Sequence, residues 1–300
     1  MYTIELNKIR KCYDSFVAVD DLSFNIEQGA VFGLLGPNGA GKTSTIRMMI
    51  GITVPDAGQI QMFGKPFERK SLQRVGYLPE ESGLYKKMKI VDQLIFLGEL
   101  HGLEAGAARQ RAMAWGERME ISGWLDKKVE ELSKGMQQKI KFIATLLHDP
   151  DFIIMDEPFS GLDPVNALLL KDVLLDLKGK GKTILFSTHQ MDQVEKLCDS
   201  ICLIDHGKAV LQGDLKQIKA QYGKNNVQIE YEGDGDFLKK TQLVGSYNNY
   251  GNYVEVRLAP GADSQQLLRA VAERSRISKF ELMEPSLEEI FIDTVGKNDA

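Results

Sequence analysis

The sequence predicts an α/β fold built on a mostly parallel sheet, with a small α+β module following it. Three observations carry this prediction. Residues 30–35 (Ala-Val-Phe-Gly-Leu-Leu) are strand-like and residues 44–50 helix-like, and between them Gly36-Pro37-Asn38-Gly39-Ala40-Gly41-Lys42-Thr43 fits G-x-x-x-x-G-K-[ST], the pattern of a phosphate-binding loop. Further on, the apolar runs at 151–155 and 183–187 alternate with helical segments near 164–178 and 190–197, as a parallel sheet requires. Composition then shifts near Tyr222-Gly223-Lys224-Asn225-Asn226, which marks a domain boundary.

Taken in order, residues 2–6 and 22–26 alternate like hairpin strands, with Asp20-Asp21 and Gln28-Gly29 as turns. Residues 51–79 hold short strands between turn signals. From about 90 to 148 the period becomes helical: Val91, Leu94, Ile95, Leu97 and Gly98 share a face, and residues 105–119 are rich in Ala, Arg and Met. This is a helical insertion. Residues 200–205 and 208–212 pair through His206-Gly207. Past the boundary, 227–231 and 253–258 read as half-buried strands, a helix follows Pro260-Gly261-Ala262-Asp263, and a third strand lies near Phe280 and Leu282. Ser286-Leu287-Glu288-Glu289 is a capping box before a last helix. The expected domains are 1–222, with a helical part at about 88–150, and a small α+β accessory or regulatory domain at 225–300.

Composition narrows the function classes. Of 300 residues, 43% are hydrophobic and 26% charged, as in a soluble globular protein. No apolar run approaches the ~20 residues of a membrane span, and Met1-Tyr2-Thr3-Ile4-Glu5 begins no signal peptide, so a cytoplasmic location is expected. The net charge of −5 argues against nucleic-acid binding by a basic face. Cys12, Cys198 and Cys202 are too scattered for a disulfide framework or a zinc site.

The chemistry begins at the loop. Its glycines let backbone N–H groups turn onto phosphate oxygens, Lys42 supplies a charge for the outer phosphates, Thr43 offers a hydroxyl to Mg²⁺, and Ser44 opens the helix whose positive end faces the anion. Residues 152–155 run into Asp156 and Glu157: the first is placed to hold Mg²⁺, the second to accept a hydrogen bond from the attacking water. Glu131-Leu132-Ser133-Lys134-Gly135-Met136-Gln137-Gln138 then resembles the signature motif of ABC-transporter ATPases. Ser160-Gly161-Leu162-Asp163 resembles their D-loop, and His189 after Phe186-Ser187-Thr188 their switch histidine.

The resemblance covers residues 1 to about 215 and implies a phosphate-loop NTPase of the ABC cassette type: a mixed sheet core, an antiparallel β subdomain and a helical subdomain. It implies that two ATP molecules are sandwiched head to tail between two cassettes, this chain pairing with itself or with a paralogous ATPase subunit. Ser133 and Gly135 would then reach the γ-phosphate held by the other cassette, Asp163 would align the halves, His189 would contact the γ-phosphate in cis, and Tyr13 would stack on adenine. It further implies a multi-span permease as a separate chain, with this chain peripheral at the inner face of the membrane. The permease would be received in a groove near residues 80–105, lined by Leu84, Tyr85 and Met88.

Two positions depart from the commonest family pattern. Glu80, in Tyr77-Leu78-Pro79-Glu80, stands where many members have glutamine, and keeps a metal-sensing role. Lys134 and Met136 replace Gly and Gln of the signature, a variant similar to that of ABC-2-type export ATPases. A soluble ABC ATPase acting on ribosomes or DNA is the alternative, although the chain has neither a second cassette nor a long coiled-coil insertion. A regulator that binds ATP without hydrolysing it is a third reading, opposed by Glu157 and His189.

Overall fold

The computed structural model describes residues 1–81, 83–223, 225–233 and 235–295; Ser82, in the segment after Glu80, lies outside them. Two 12-residue strands, β1 (Tyr2–Tyr13) and β2 (Phe16–Glu27), form an antiparallel hairpin. Asp20-Asp21, read from sequence as a turn, lies inside β2. Asp21 takes a φ of 54° beside a register shift, so the strand bulges and continues. Next come β3 (Val31–Leu35), α1 (Lys42–Met49), β4 (Ala57–Met62), β5 (Lys65–Pro66) and β6 (Val75–Leu78). The helical part consists of α2 (Ile90–Leu100), α3 (Ala105–Arg118) and α4 (Lys134–Leu146). It is followed by β7 (Phe152–Asp156), α5 (Pro164–Gly179), β8 (Thr183–Thr188), α6 (Met191–Leu197), β9 (Ser200–Asp205) and β10 (Lys208–Asp214).

These strands make two sheets, ordered β2-β1-β4-β5 and β10-β9-β3-β8-β7-β6. In the second, β9, β3, β8, β7 and β6 run parallel. Every residue of β3, β7 and β8 is buried, which is why they read as unbroken apolar runs rather than alternating ones. The sheets share one core with α1: Ile4 and Ile9 of β1, Phe24 of β2, Phe32 of β3, Ile46 and Met49 of α1 and Ile154 of β7 all lie in it. On α2 the buried face includes Gln93, a polar residue that the apolar pattern passes over.

The chain divides into two compact units, Met1–Gly213 and Asp214–Ala300. The second holds α7 (Leu215–Tyr222), β11 (Asn226–Glu232), β12 (Val244–Asn249), β13 (Val254–Leu258), α8 (Ser264–Ala272), β14 (Arg276–Met283) and α9 (Leu287–Val295). Its antiparallel sheet, ordered β12-β13-β11-β14, packs Val227, Ile229, Val254 and Val256 against Leu267 and Val271 of α8. The Glu289 carboxylate of the capping box accepts from the Ser286 N–H at 2.8 Å and also from the Asn226 amide at 2.8 and 2.7 Å, fixing α9 to β11. No helix among the described residues is long and apolar enough to cross a membrane.

Among the described residues β6 is the edge strand of the large sheet, and α4 with the turn after it supplies partners for carbonyls of that strand and of the two residues that follow it. His148 Nε2 lies 3.1 Å from Val75 O, Thr145 Oγ1 donates to Tyr77 O at 3.3 Å, and Lys141 Nζ donates to Glu80 O at 3.1 Å and Pro79 O at 3.4 Å. The spacing i, i+4, i+7 puts all three side chains on one side of the helical stretch. His148 stacks on His101, ring centres 3.9 Å apart. Burial, then the neighbouring His101, pushes the His148 pKa from 6.5 down to about 4, with Arg111 acting the same way and Asp149 opposing.

The folded chain thus favours a neutral His148, whereas the unfolded chain takes up a proton near pH 6.5. The stabilisation is complete above that pH and is lost as pH falls toward about 4. His148→Gln, whose amide can still reach Val75 O, is expected to flatten this dependence. Between pH 7 and 5 the wild-type melting temperature should fall roughly 3 °C further than the variant's; parallel curves would contradict the assignment.

Candidate active site

The site grows from the C-terminal ends of β3, β7 and β8, where an open parallel sheet presents its loops. The phosphate loop leaves β3 through Gly36, at φ 149°, and enters α1 through Gly41, at φ 107°. A Cβ on Gly36 would lie 2.2 Å from Ile204 O, and one on Gly41 2.4 Å from Ala18 O, so both positions need glycine for conformation and for space. Because α1 is capped by Gly41, no side chain caps its first-turn N–H groups. Lys42 is buried, its Nζ donating to Gly36 O at 2.7 Å and Pro37 O at 3.0 Å. Burial lowers its pKa, partly offset by the charges of Glu157, Asp156 and Glu80.

Asp156, the last residue of β7, is almost fully buried. Its Oδ2 accepts from Thr43 Oγ1 at 3.1 Å, and its Oδ1 from the Ser187 hydroxyl at the end of β8. Carboxylate and hydroxyl oxygens are the donor set of a hard divalent cation, so Thr43 and Asp156 fit Mg²⁺. Ser187 was not singled out from the sequence. Only the pairing of β7 with β8, which aligns Asp156 with Ser187, brings it here.

Glu157 leaves β7 in a left-handed conformation, φ 49°, which turns its side chain across the end of β8. Its Oε2 accepts from Thr188 Oγ1 at 3.0 Å, and its Oε1 from the His189 N–H at 3.1 Å. His189 Nδ1 lies 2.7 Å from the same Oε1. Against a carboxylate the proton belongs on Nδ1, which leaves Nε2 as the free ring nitrogen of a side chain that is 55% exposed. Lys42, Thr43, Asp156, Glu157 and His189 are therefore gathered around one loop.

Ser133 and Gly135 are not part of that group: among the described residues, neither makes a hydrogen bond to the phosphate loop. Ser133 caps α4, its Oγ accepting from Met136 N at 3.3 Å, and is exposed. Asp163 caps α5, accepting from Asn166 N at 3.0 Å, and those bonds hold its carboxyl below the ordinary carboxylate range. Asp163-Pro164 carried a cap signal that the sequence reading did not use. Gln138, in the second turn of α4, donates its Nε2–H to Pro158 O, one residue past Glu157, at 3.0 Å.

Tyr13 ends β1 at 39% exposure opposite Phe16, with Lys11 Nζ 5.7 Å from its ring centre. Glu80 is exposed just past β6. Beside the helical part, a groove of about 600 Å³ is lined by Tyr85, Lys86, Lys87, Met88 and Phe96, with Tyr85 and Phe96 edge-on at 6.2 Å. Leu84, expected here, is not in its lining, and Phe96 was not expected.

Comparison with known proteins agrees with this fold. The ABC transporter family profile matches residues 19–160, and that of the ATP-binding protein DrrA1-3-like C-terminal domain matches residues 213–295. YhaQ, an ABC transporter ATP-binding protein of Bacillus subtilis, is 45% identical over 98% of both chains. The Nod factor export ATP-binding protein I of Burkholderia pseudomallei is 39% identical over 81% of this chain and 83% of its own. A solved ATP-binding subunit of an ABC transporter superposes with a TM-score of 0.68 at 29% identity, covering 74% of this chain and 93% of that one. The chain belongs to the ATP-binding proteins of ABC transporters, and is an ATPase cassette followed by a DrrA-like C-terminal domain.

Proposed function

We propose that this chain is the ATP-hydrolysing subunit of an exporter. Two cassettes, identical or paralogous, would close head to tail on two ATP molecules and drive a separate multi-span permease from the inner face of the membrane. The observation that carries the proposal is the carboxylate at position 157. It is buried, held by Thr188 and His189, and placed one residue beyond the Asp156–Thr43 pair. The printed export role of the Nod factor relative, and the DrrA-like C-terminal match, support the exporter subtype.

In this reading Tyr13 stacks on adenine, and residues 36–44 receive the phosphates. Lys42 exchanges its two carbonyl partners for phosphate oxygens. Thr43, Asp156 and Glu80 hold Mg²⁺, which when bound supplies charge neutralisation between the outer phosphates. Glu157 orients the attacking water and takes its proton, His189 fixes the carboxylate and offers Nε2 to the γ-phosphate, and Ser133, Gly135 and Asp163 act across the interface. The groove at Tyr85, Met88 and Phe96 receives the permease, and the C-terminal domain is accessory or regulatory.

Copurification of a multi-span membrane protein, together with steady ATP turnover by the chain, tests the whole; capture of ribosomes or DNA instead would overturn the exporter reading. For Glu80, the expected outcome is that Glu80→Gln keeps most of the ATPase activity while Glu80→Ala loses its response to the permease. Equal and near-complete loss in both would contradict a metal-sensing role.

A further inference from the structure

Lys141 is an unusual residue in an unusual place. It lies on α4 with 9% exposure, its ammonium bonded to the carbonyls of Pro79 and Glu80, and among the described residues it has no carboxylate partner at ion-pair distance. Burial lowers its pKa and the charge of Glu80 acts in the opposite sense. An ammonium withdrawn from water and met only by carbonyl groups costs stability, whereas an apolar side chain at the same depth would not.

What the ammonium does is reach past the end of β6. Thr145 and His148 hold the carbonyls of residues 77 and 75, both within the strand, but Lys141 holds the two that follow it, where the chain has left the sheet and carries Glu80. Lys141 also lies eight residues from Ser133, about 12 Å along the same helix. One rigid element thus bears, at its start, the group assigned to the partner's γ-phosphate and, in its middle, the clamp on the segment assigned to the metal of its own site.

We propose that Lys141 is a positioning residue that fastens the Glu80 segment to α4, so that closure of the Ser133 end on the partner's nucleotide moves Glu80 with it. The inference rests on the roles given to Glu80 and Ser133 above. Lys139 provides the contrast: similarly buried on α4, it donates to Met119 O at 3.0 Å, inside the helical part, and among the described residues makes no hydrogen bond or ion pair to the Glu80 segment.

The test compares Lys141→Met, Lys141→Arg and Lys139→Met in the full chain. The readouts are amide exchange of residues 80–88 without nucleotide, and ATP turnover resolved into kcat and KM. Lys141→Met is expected to speed exchange in that segment and to lower kcat roughly tenfold, the scale of a lost charge-assisted hydrogen bond, with KM within about threefold. Lys141→Arg should retain both properties, and Lys139→Met should leave exchange at 80–88 unchanged. Wild-type kcat and exchange in Lys141→Met, or the same pattern in Lys139→Met, would overturn the proposal. If Lys141→Met does not fold, Lys141→Gln, a shorter amide without the charge, takes its place. It should speed the same exchange, and no change there would equally refute the clamp. Failure of the underlying reading of Glu80 has a different signature, an undiminished response to the permease in Glu80→Ala, and the exchange measurement is independent of it.

Discussion

Glu157→Gln is expected to bind ATP, to lose turnover by about three orders of magnitude, and to accumulate as a dimer at saturating ATP and Mg²⁺. The substitution keeps the shape of the side chain and one oxygen, which can accept from either Thr188 Oγ1 or the His189 N–H, the two donors that the carboxylate meets with separate oxygens. It removes the charge that would take a proton from water and that holds the His189 ring at 2.7 Å. Since Thr43, Asp156 and Lys42 are untouched, binding energy for the nucleotide remains while the step that would release the paired state is blocked. Phosphate release and sedimentation together check this. A variant that stays monomeric under those conditions would refute pairing by the isolated chain, and one that hydrolyses at the wild-type rate would remove Glu157 from the chemistry.

Lys42→Ala should lower turnover by a factor of about 10² to 10³ or more, the range found when a preorganised charge at a reacting group is deleted. Its effect on stability should have the opposite sign to that of most buried truncations. The Lys42 ammonium is buried, and burial is the largest influence on its pKa, lowering it. Among the described residues Gly36 O and Pro37 O are its direct bonding partners, with the carboxylates of Glu157, Asp156 and Glu80 acting through space. Removing it relieves a desolvated charge, so the nucleotide-free melting temperature should be unchanged or higher, and the stabilisation by ATP expected of the wild type should disappear. A marked loss of nucleotide-free stability would mean that the lysine serves the fold before it serves the ligand.

The parts of this site that were legible in the sequence are those in which neighbours in the chain are also neighbours in space. Residues 36–43, the pair Asp156-Glu157, and His189 at the end of a buried strand are of this kind. The long strands of the hairpin were only half visible, because the bulge at Asp21 places two acidic residues in mid-strand, where they mimic a turn. In the second unit β12 escaped notice because Gly245, Asn248 and Asn249 are poor strand formers, tolerated at the edge of a sheet whose register is set by β13. The helix α7 was hidden by the glycine and asparagines that follow it. Ser187, Lys141 and His148 could not be assigned from pattern at all: they meet their partners across 31, 61 and 73 positions of chain, the first inside the assembled sheet and the other two at its β6 edge.

The left-handed backbone of Glu157 has a consequence for how this protein changes under selection. A non-glycine residue at φ 49° costs roughly 1–2 kcal/mol relative to one in a relaxed conformation, and glycine avoids that cost. Glu157→Ala and Glu157→Gly both forfeit the bonds from Thr188 and His189, but only glycine relaxes at this φ, so a screen for heat resistance alone should favour Glu157→Gly over Glu157→Ala, while a screen that also demands ATP turnover should purge both. At position 157 the two screens thus rank substitutions by different properties, backbone freedom in one and the carboxylate in the other.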